Sequence, residues 1–350
     1  MDNKLPQRNR EILEILISDY ISTALPVGSK SISKKYRDQY SAATIRGILA
    51  DLEDLGFLKQ PHTSAGRIPT GQGLRYYVNS ILQYRELSKE EQGELYKRYF
   101  DNSDVGLEEL ITKTSRALSA ISKHVGLVST SCKDKIVFKQ IQFIPLSSHK
   151  LLGIFVSQEG FVQNKIIEIS EEYTYSDLNK INNYCNNVFL GLTLEEAKCK
   201  IERELQYVQE DYDRLLSKAF LFSLELFDTC FHADIVLDGE SHLVGEPDFL
   251  EAEKLRELLS MLEEKKQLLN ILERCNSTQG VNIFIGSEFN SDELNDKNHV
   301  VDRVSLVIAP FKKGGKVLGT LGVVGPVRMD YSRIVSVVDF TAKLLENILE

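Results

Sequence analysis

The sequence predicts an α+β protein of more than one domain. Apolar residues recur at helical spacing through most of the first 80 positions; period-two apolar runs lie between 136 and 169 and again between 281 and 324; helical stripes separate and follow those runs. A chain of 350 residues exceeds one ordinary domain, and 42% hydrophobic with 27% charged residues is the composition of a folded globular protein.

The first helix is expected over Asn9 to Ala24, where Ile12, Leu13, Ile15, Leu16, Ile17, Tyr20 and Ile21 form a broad apolar face. Leu25-Pro26-Val27-Gly28 stops it. Ser29 or Ser31 then caps a short helix to about Arg37 with Ile32 and Tyr36 inward, and Asp38-Gln39-Tyr40 turns the chain. Ser41 caps a third helix running to Leu55, which buries Ile45, Ile48, Leu49, Leu52 and Leu55 and leaves Ala42, Ala43, Thr44, Arg46 and Gly47 free near its start. Small residues let a helix approach base edges closely, Arg holds guanine bidentately, and Ala or Thr touches a thymine methyl. Gly56 to Pro69 then reads as a strand, a polar tip with His62, Thr63, Ser64 and Arg67, and a return through Ile68, which is the form of a wing. The tip hydroxyls, amides and guanidinium suit phosphate oxygens. Thr70 caps a further helix with Arg75, Tyr76 and Tyr77. A generic three-helix core with a solvated face is the plainer reading of the helices alone.

Beyond this segment, Ser88-Lys-Glu-Glu91 has the capping-box pattern, and a longer helix carries Leu107, Leu110, Ile111, Thr114, Leu118, Ile121 and Val125 on one face. Ile136 to Ile144, Leu151 to Val156 and Phe161 to Ile169 read as an antiparallel meander. Helices follow, one with Leu178, Ile181, Cys185, Val188 and Phe189, one opened by Thr193 and Glu196, and one over Ala219 to Phe227 that is apolar nearly all round. That third helix, with Phe220, Phe222 and Phe227, lies either at the centre of a domain or between two subunits; Phe222 and Phe227 are the candidate dimer contacts. Asp248 with Glu251 caps a leucine-rich helix to about Cys275, strands follow at Val281 to Ile285, Val304 to Ala309 and Val317 to Val324, and a last helix starts at Tyr331. This order is compatible with a GAF-like sensor fold interrupted by helices.

The net charge of −9 is unevenly spread: residues 1–85 carry 12 Lys and Arg against 8 Asp and Glu, so the only basic surplus falls on the helix-turn-helix segment. The opening residues lack the apolar core of a signal peptide and no run approaches the length of a membrane span, so a cytoplasmic protein is expected. Cys132, Cys185, Cys199, Cys230 and Cys275 are widely spaced with no Cys-x-x-Cys, which suits buried thiols.

Nothing asks for catalysis or a cofactor. Lys312-Lys-Gly-Gly-Lys316 lacks the earlier Gly and following Ser or Thr of a phosphate loop and reads as a turn between strands. Cys230, His232 and His242 match no standard zinc spacing, and His124, His149 and His299 are scattered. No metal and no enzymatic activity is expected.

The runs Pro26-Val-Gly-Ser-Lys30, Ser41-x-x-Thr44-Ile45-Arg46 and Gln60-Pro-His-Thr-Ser-Ala-Gly-Arg-Ile-Pro-Thr70 resemble the HrcA family of heat-inducible transcription repressors, as does Gly322-Val-Val-Gly-Pro-Val-Arg-Met-Asp-Tyr331. Gln72 and Leu74 stand where the family usually has an acidic and an aromatic residue, and Val327 where it commonly has Thr. The resemblance implies a GAF-like domain with an inserted dimerisation domain, a homodimer on the CIRCE inverted repeat of double-stranded operator DNA, and support from a GroEL-type chaperonin. On this reading residues 1–86 are the winged helix, 87–104 a helical connector, 105–175 with 232–350 the GAF-like domain, and 176–231 the inserted, mainly helical dimerisation domain. The expected DNA contacts are Lys30, Ser41, Ala42, Ala43, Thr44, Arg46, His62, Thr63, Ser64 and Arg67. Two other readings stand beside it: a ligand-sensing regulator with a small-molecule site in the GAF-like domain, and a scaffold whose winged helix binds protein.

Overall fold

In the computed structural model the described residues are 5–35, 40–62, 65–100, 106–130, 136–207, 214–230, 235–264, 268–269, 271–272, 280–289 and 301–349. Helix and sheet are mixed along the chain, the α+β class the sequence predicts. Among the described residues, no helix is long and apolar enough to cross a membrane.

Three helices open the chain, α1 (Gln7–Thr23), α2 (Ser29–Lys35) and α3 (Ala42–Asp54), followed by a two-stranded antiparallel ribbon of β1 (Leu58–Lys59) and β2 (Ile68–Pro69), and by α4 (Gly71–Ser80). The predicted stripes do the packing: Ile12, Leu13, Leu16 and Ile17 of α1 meet Ile32, Ile45, Leu49, Leu52, Leu58 and Leu74 in one core. Thr70 caps α4 as expected, accepting from Gly73 N at 3.1 Å and donating to Gly56 O at 2.7 Å, so one hydroxyl ties the helix to the ribbon. Leu82 to Ser88 carry no regular secondary structure. Ser88 and Glu91 then form the expected reciprocal cap of α5 (Lys89–Phe100).

α6 (Leu107–Ser122) ends sooner than its apolar stripe suggests. Lys123 adopts the left-handed conformation that closes it, and Val125 begins β3 (Val125–Thr130) instead of extending the helix. β3 lies inside a five-stranded antiparallel sheet ordered β7-β3-β10-β9-β8, where β7 is Ile235–Asp238, β8 Asn282–Ile285, β9 Val304–Lys313 and β10 Lys316–Pro326. Neither β3 nor β7 is legible as a strand by alternation, because β3 is buried on both faces and β7 is only four residues long. One face of the sheet, with Val128, Val307, Ala309, Leu321 and Val323, shares its core with α6 and the last helix, α11 (Tyr331–Leu349). The other, with Val125, Leu127, Leu306, Ile308 and Val324, is covered by Leu258, Met261 and Leu262 of α10 (Ala252–Glu264). Gly126 makes the first packing possible: a Cβ there would fall 2.1 Å from Ser115 O of α6. The Gly314-Gly315 pair has positive φ at both residues and turns β9 into β10, as the turn reading of the Lys312–Lys316 run requires.

The meander, β4 (Phe138–Ser147), β5 (Lys150–Ser157) and β6 (Val162–Glu168), is a separate antiparallel sheet. It packs on α7 (Tyr175–Phe189), α8 (Leu194–Tyr207) and α9 (Arg214–Cys230) around Phe138, Phe143, Phe155, Phe189, Phe220 and Phe227. The boundary expected at 175/176 therefore runs between a sheet and the helices that share its core. Alternation alone could not say which helices a sheet packs on. Of the two places open to the apolar helix, the candidate dimer contacts Phe222 and Phe227 lie at the centre of this core: Phe227 is fully buried and Phe222 nearly so within a single chain, against Phe138, Phe143, Phe155, Tyr173 and Phe189. Asp248 is not the cap of α10: it lies in the short turn Pro247–Phe249 before the helix, where its carboxylate pairs with Arg328.

Candidate nucleic-acid interface

α3 presents its first turns outward because its apolar residues occupy only one side. Ile45, Ile48, Leu49 and Leu52 are buried, whereas Ser41, Ala43, Thr44, Arg46 and Gly47 are exposed and Ala42 is half-buried. The Ser41 hydroxyl accepts from Thr44 N at 3.1 Å and is 2.9 Å from the Thr44 hydroxyl, so the two polar side chains at the helix start hold each other in place. No acidic residue lies in the first turn of α3, so none within the helix offsets its positive dipole end. Arg46 thus projects from a surface of small side chains, the arrangement that permits close approach to a polyanion.

Two further cations flank this turn. Lys30 is exposed at the start of α2. Arg8, which the sequence reading passed over, lies with its guanidinium 4.7 Å from the centre of the Tyr40 ring, immediately before Ser41. Ser33 donates to Tyr40 O at 3.0 Å and fixes the turn that Tyr40 occupies. Lys35 is instead paired with the buried carboxylate of Asp19.

The ribbon is locked to the helices from two directions. Val27 and Arg67 exchange backbone hydrogen bonds of 2.9 Å each, so a single antiparallel bridge joins the segment between α1 and α2 to the ribbon. Gly66 allows this, since a Cβ there would stand 2.5 Å from Val27 C and O. The Arg67 side chain turns inward as well: Nε donates to Glu53 Oε2 at 3.0 Å and Nη2 lies 2.8 Å from the same oxygen. The expected phosphate-contacting guanidinium is therefore engaged with the last turn of α3. Glu53 went unnoticed because an acid near a helix end has many partners open to it in sequence. His62 is exposed at the tip, where its carbonyl accepts from Ala65 N, and Gln60 donates to Ala65 O, both at 2.9 Å. Thr63 and Ser64 lie outside the described residues.

The structure thus brings Lys30, Ser41, Ala42, Ala43, Thr44 and Arg46 to the two helices that follow α1, with His62 on the adjoining ribbon and Arg67 beneath it. Among the described residues, no group of three or more His, Cys, Asp or Glu could hold a metal ion. His232 lies outside the described residues.

Comparison with known proteins bears on the whole chain. A solved crystal structure of a hypothetical protein matches it over 99% of both chains with a TM-score of 0.58 at 21% identity, a likeness of fold. The family described as HrcA protein C terminal domain matches residues 108–335. Heat-inducible transcription repressor HrcA of Syntrophobacter fumaroxidans is 38% identical over 349 residues, 99% of this chain and 98% of its own length. The proteins of that name from Geobacter sulfurreducens and Xanthomonas campestris are each 37% identical, over 99% of this chain and 98% and 96% of their own lengths. Identity at that level over nearly the whole length of each chain, with the family match over residues 108–335, places this chain in the HrcA family of heat-inducible transcription repressors.

Proposed function

We propose that this protein represses heat-inducible chaperone operons in the cytoplasm by binding, as a homodimer, the CIRCE inverted repeat of double-stranded operator DNA. The observation that carries this reading is the outward first half of α3, where Arg46 stands among Ala42, Ala43, Thr44 and Gly47 on a helix end with no acid in its first turn. α1 to α3 with the ribbon act as a winged helix over residues 1–86, α3 enters the major groove, and Lys30 and the His62 tip reach the backbone. Residues 87–104 connect it to a GAF-like domain built on the five-stranded sheet. The inserted dimerisation domain takes in the meander as well as α7 to α9. With Phe222 and Phe227 committed to the core, the second subunit needs another apolar surface, and the outer face of the meander, where Val162 and Ile166 are exposed, supplies one. Repression is relieved when unfolded proteins occupy the GroEL-type chaperonin that supports the active repressor.

Equilibrium binding to a CIRCE duplex and to a scrambled duplex, at two salt concentrations and with and without GroEL, tests this. Preference for CIRCE that GroEL strengthens is expected. Preference indifferent to GroEL favours a small-molecule signal acting on the GAF-like domain, and no preference removes the DNA reading. Arg46→Ala should cost about 1–3 kcal/mol and flatten the preference among bases at one position of each half-site.

A further inference from the structure

Two polar clamps hold the N-terminal helices against the five-stranded sheet domain. In the first, Arg75 of α4 donates from Nε to Glu288 Oε1 at 2.7 Å, pairs through Nη2 with Oε2, and also donates from Nη2 to Ile283 O of β8 at 2.5 Å. Glu288 is itself fixed, because Oε2 accepts from Ile285 N at 2.9 Å. In the second, Arg328, in the turn after β10, is gripped by Glu246 and Asp248 and extends Nη1 to within 3.5 Å of Ile21 O in the last turn of α1. The clamps thus seize α4 and α1, two different helices of the same small core that positions α3. The chain linking the two parts, Leu82 to Ser88, has no regular structure; Leu82 N donates to Tyr77 O at 2.9 Å, Ser332 donates to Gln83 O at 2.7 Å and accepts from Arg85 N at 3.1 Å, and Leu87 is buried with its carbonyl accepting from Gln92 Nε2 at 3.1 Å. A link of that kind cannot set an angle by itself. The core that α1 to α4 share with α6 and the last helix holds the two parts together, and the clamps add directional polar contacts to it.

We propose that the Arg75–Glu288 and Arg328 clamps fix the direction of α3 relative to the rest of the subunit, and so determine which spacing between operator half-sites the dimer accepts. This rests on the reading above of a dimer on an inverted repeat. In a two-fold dimer each recognition helix must meet its half-site at a fixed distance and rotation, and each inserted base pair changes both. A rigidly held α3 penalises wrong spacing, whereas a loosened one follows the DNA at the cost of selectivity. Glu288 and Arg75 lie away from the exposed turn of α3, so they act as positioning residues.

The test uses the full chain, Glu288→Gln, and the exchanged pair Arg75→Glu with Glu288→Arg. The amide of Glu288→Gln keeps the shape of the carboxylate and loses its charge; Arg328 is unsuitable because its removal strands two carboxylates that are mostly buried. Binding is measured to a duplex with one CIRCE half-site, to the intact repeat, and to repeats with one or two base pairs inserted at the centre. The expected result is a spacing penalty of about tenfold or more for the unaltered protein, falling to roughly threefold or less in Glu288→Gln with half-site affinity unchanged, and recovering only in part in the exchanged pair, where Ile283 O and Ile285 N lose their partners. An undiminished penalty in Glu288→Gln overturns the proposal. A loss of half-site affinity equal to the loss on the full repeat also overturns it, by showing that the pair only supports the fold of the helices. Failure of the unaltered protein to prefer the half-site over scrambled DNA overturns the repressor reading itself, and with it this one.

Discussion

Arg67 donates from Nε to Glu53 and pairs with the same carboxylate oxygen through Nη2, and this changes what its substitution should do. A guanidinium contacting phosphate would be helped by removal of a neighbouring carboxylate, whereas a guanidinium that braces the ribbon against α3 needs it. Arg67→Ala and Glu53→Ala should therefore each weaken operator binding by about 1 kcal/mol, and the double substitution should be no worse than either one. Titration of the three variants against one duplex checks this; tighter binding by Glu53→Ala would return Arg67 to the phosphates. His124 makes a second case at this scale. Burial, with the nearby His242, Arg328 and Arg333 charges, lowers its pKa from 6.5 to about 4. The folded protein then binds fewer protons than the unfolded chain between those values, so this stability is present above pH 6.5 and is lost as pH falls toward 4. The loss amounts to about 3 kcal/mol at most. Urea midpoints at about pH 7 and about pH 4.5 should differ less in His124→Gln than in the unaltered protein.

At the scale of elements, the first segment depends on small devices at its ends. Ser41 caps α3, Thr70 caps α4 while holding Gly56 O, and Gly66 lets the ribbon reach Val27. Ser41→Ala should cost about 1 kcal/mol of stability. Gly66→Ala should do something different, because its Cβ would collide with backbone that cannot move aside as a flexible side chain can. The expected outcome is loss of ribbon docking and of DNA binding with helical circular dichroism retained. A variant that binds as well as the parent would show that the ribbon has no part in binding. Capping boxes were the most legible of these devices: Ser88 with Glu91 and Thr193 with Glu196 form as their spacing predicts. The box at Thr174 and Asp177, which opens α7, has the same logic with a shorter acid and went unread.

For the molecule as a whole, the cores are unequal partners. The core of α1 to α4 runs on through α6 and α11 to one face of the five-stranded sheet, while the meander and α7 to α9 enclose an aromatic core of their own. A cavity made in the second should stay there. Phe227→Ala, at a fully buried ring, should cost about 3–5 kcal/mol. Hydrogen exchange should show protection falling over β4 to β6 and α7 to α9 and holding over α6, β10 and α11. An even loss across both cores would mean that they unfold as one unit.

Periodicity, caps and turn residues are local, and the sequence by itself determined what depends on them: the order of most helices and strands, the outward face of α3, and the run from Gln60 to Thr70 on which the resemblance to the family rests. Tertiary structure alone decided whatever depends on partners distant in the chain. It paired Arg67 with Glu53 and Arg75 with Glu288, made Val125 the start of a strand instead of the end of a helix, and turned Phe227 inward against Phe138 and Phe155. An apolar ring gains the same burial against its own sheet as against a second subunit, and a guanidinium accepts any carboxylate within reach. Residue type sets the strength of such contacts, but only the folded chain sets which groups come within reach.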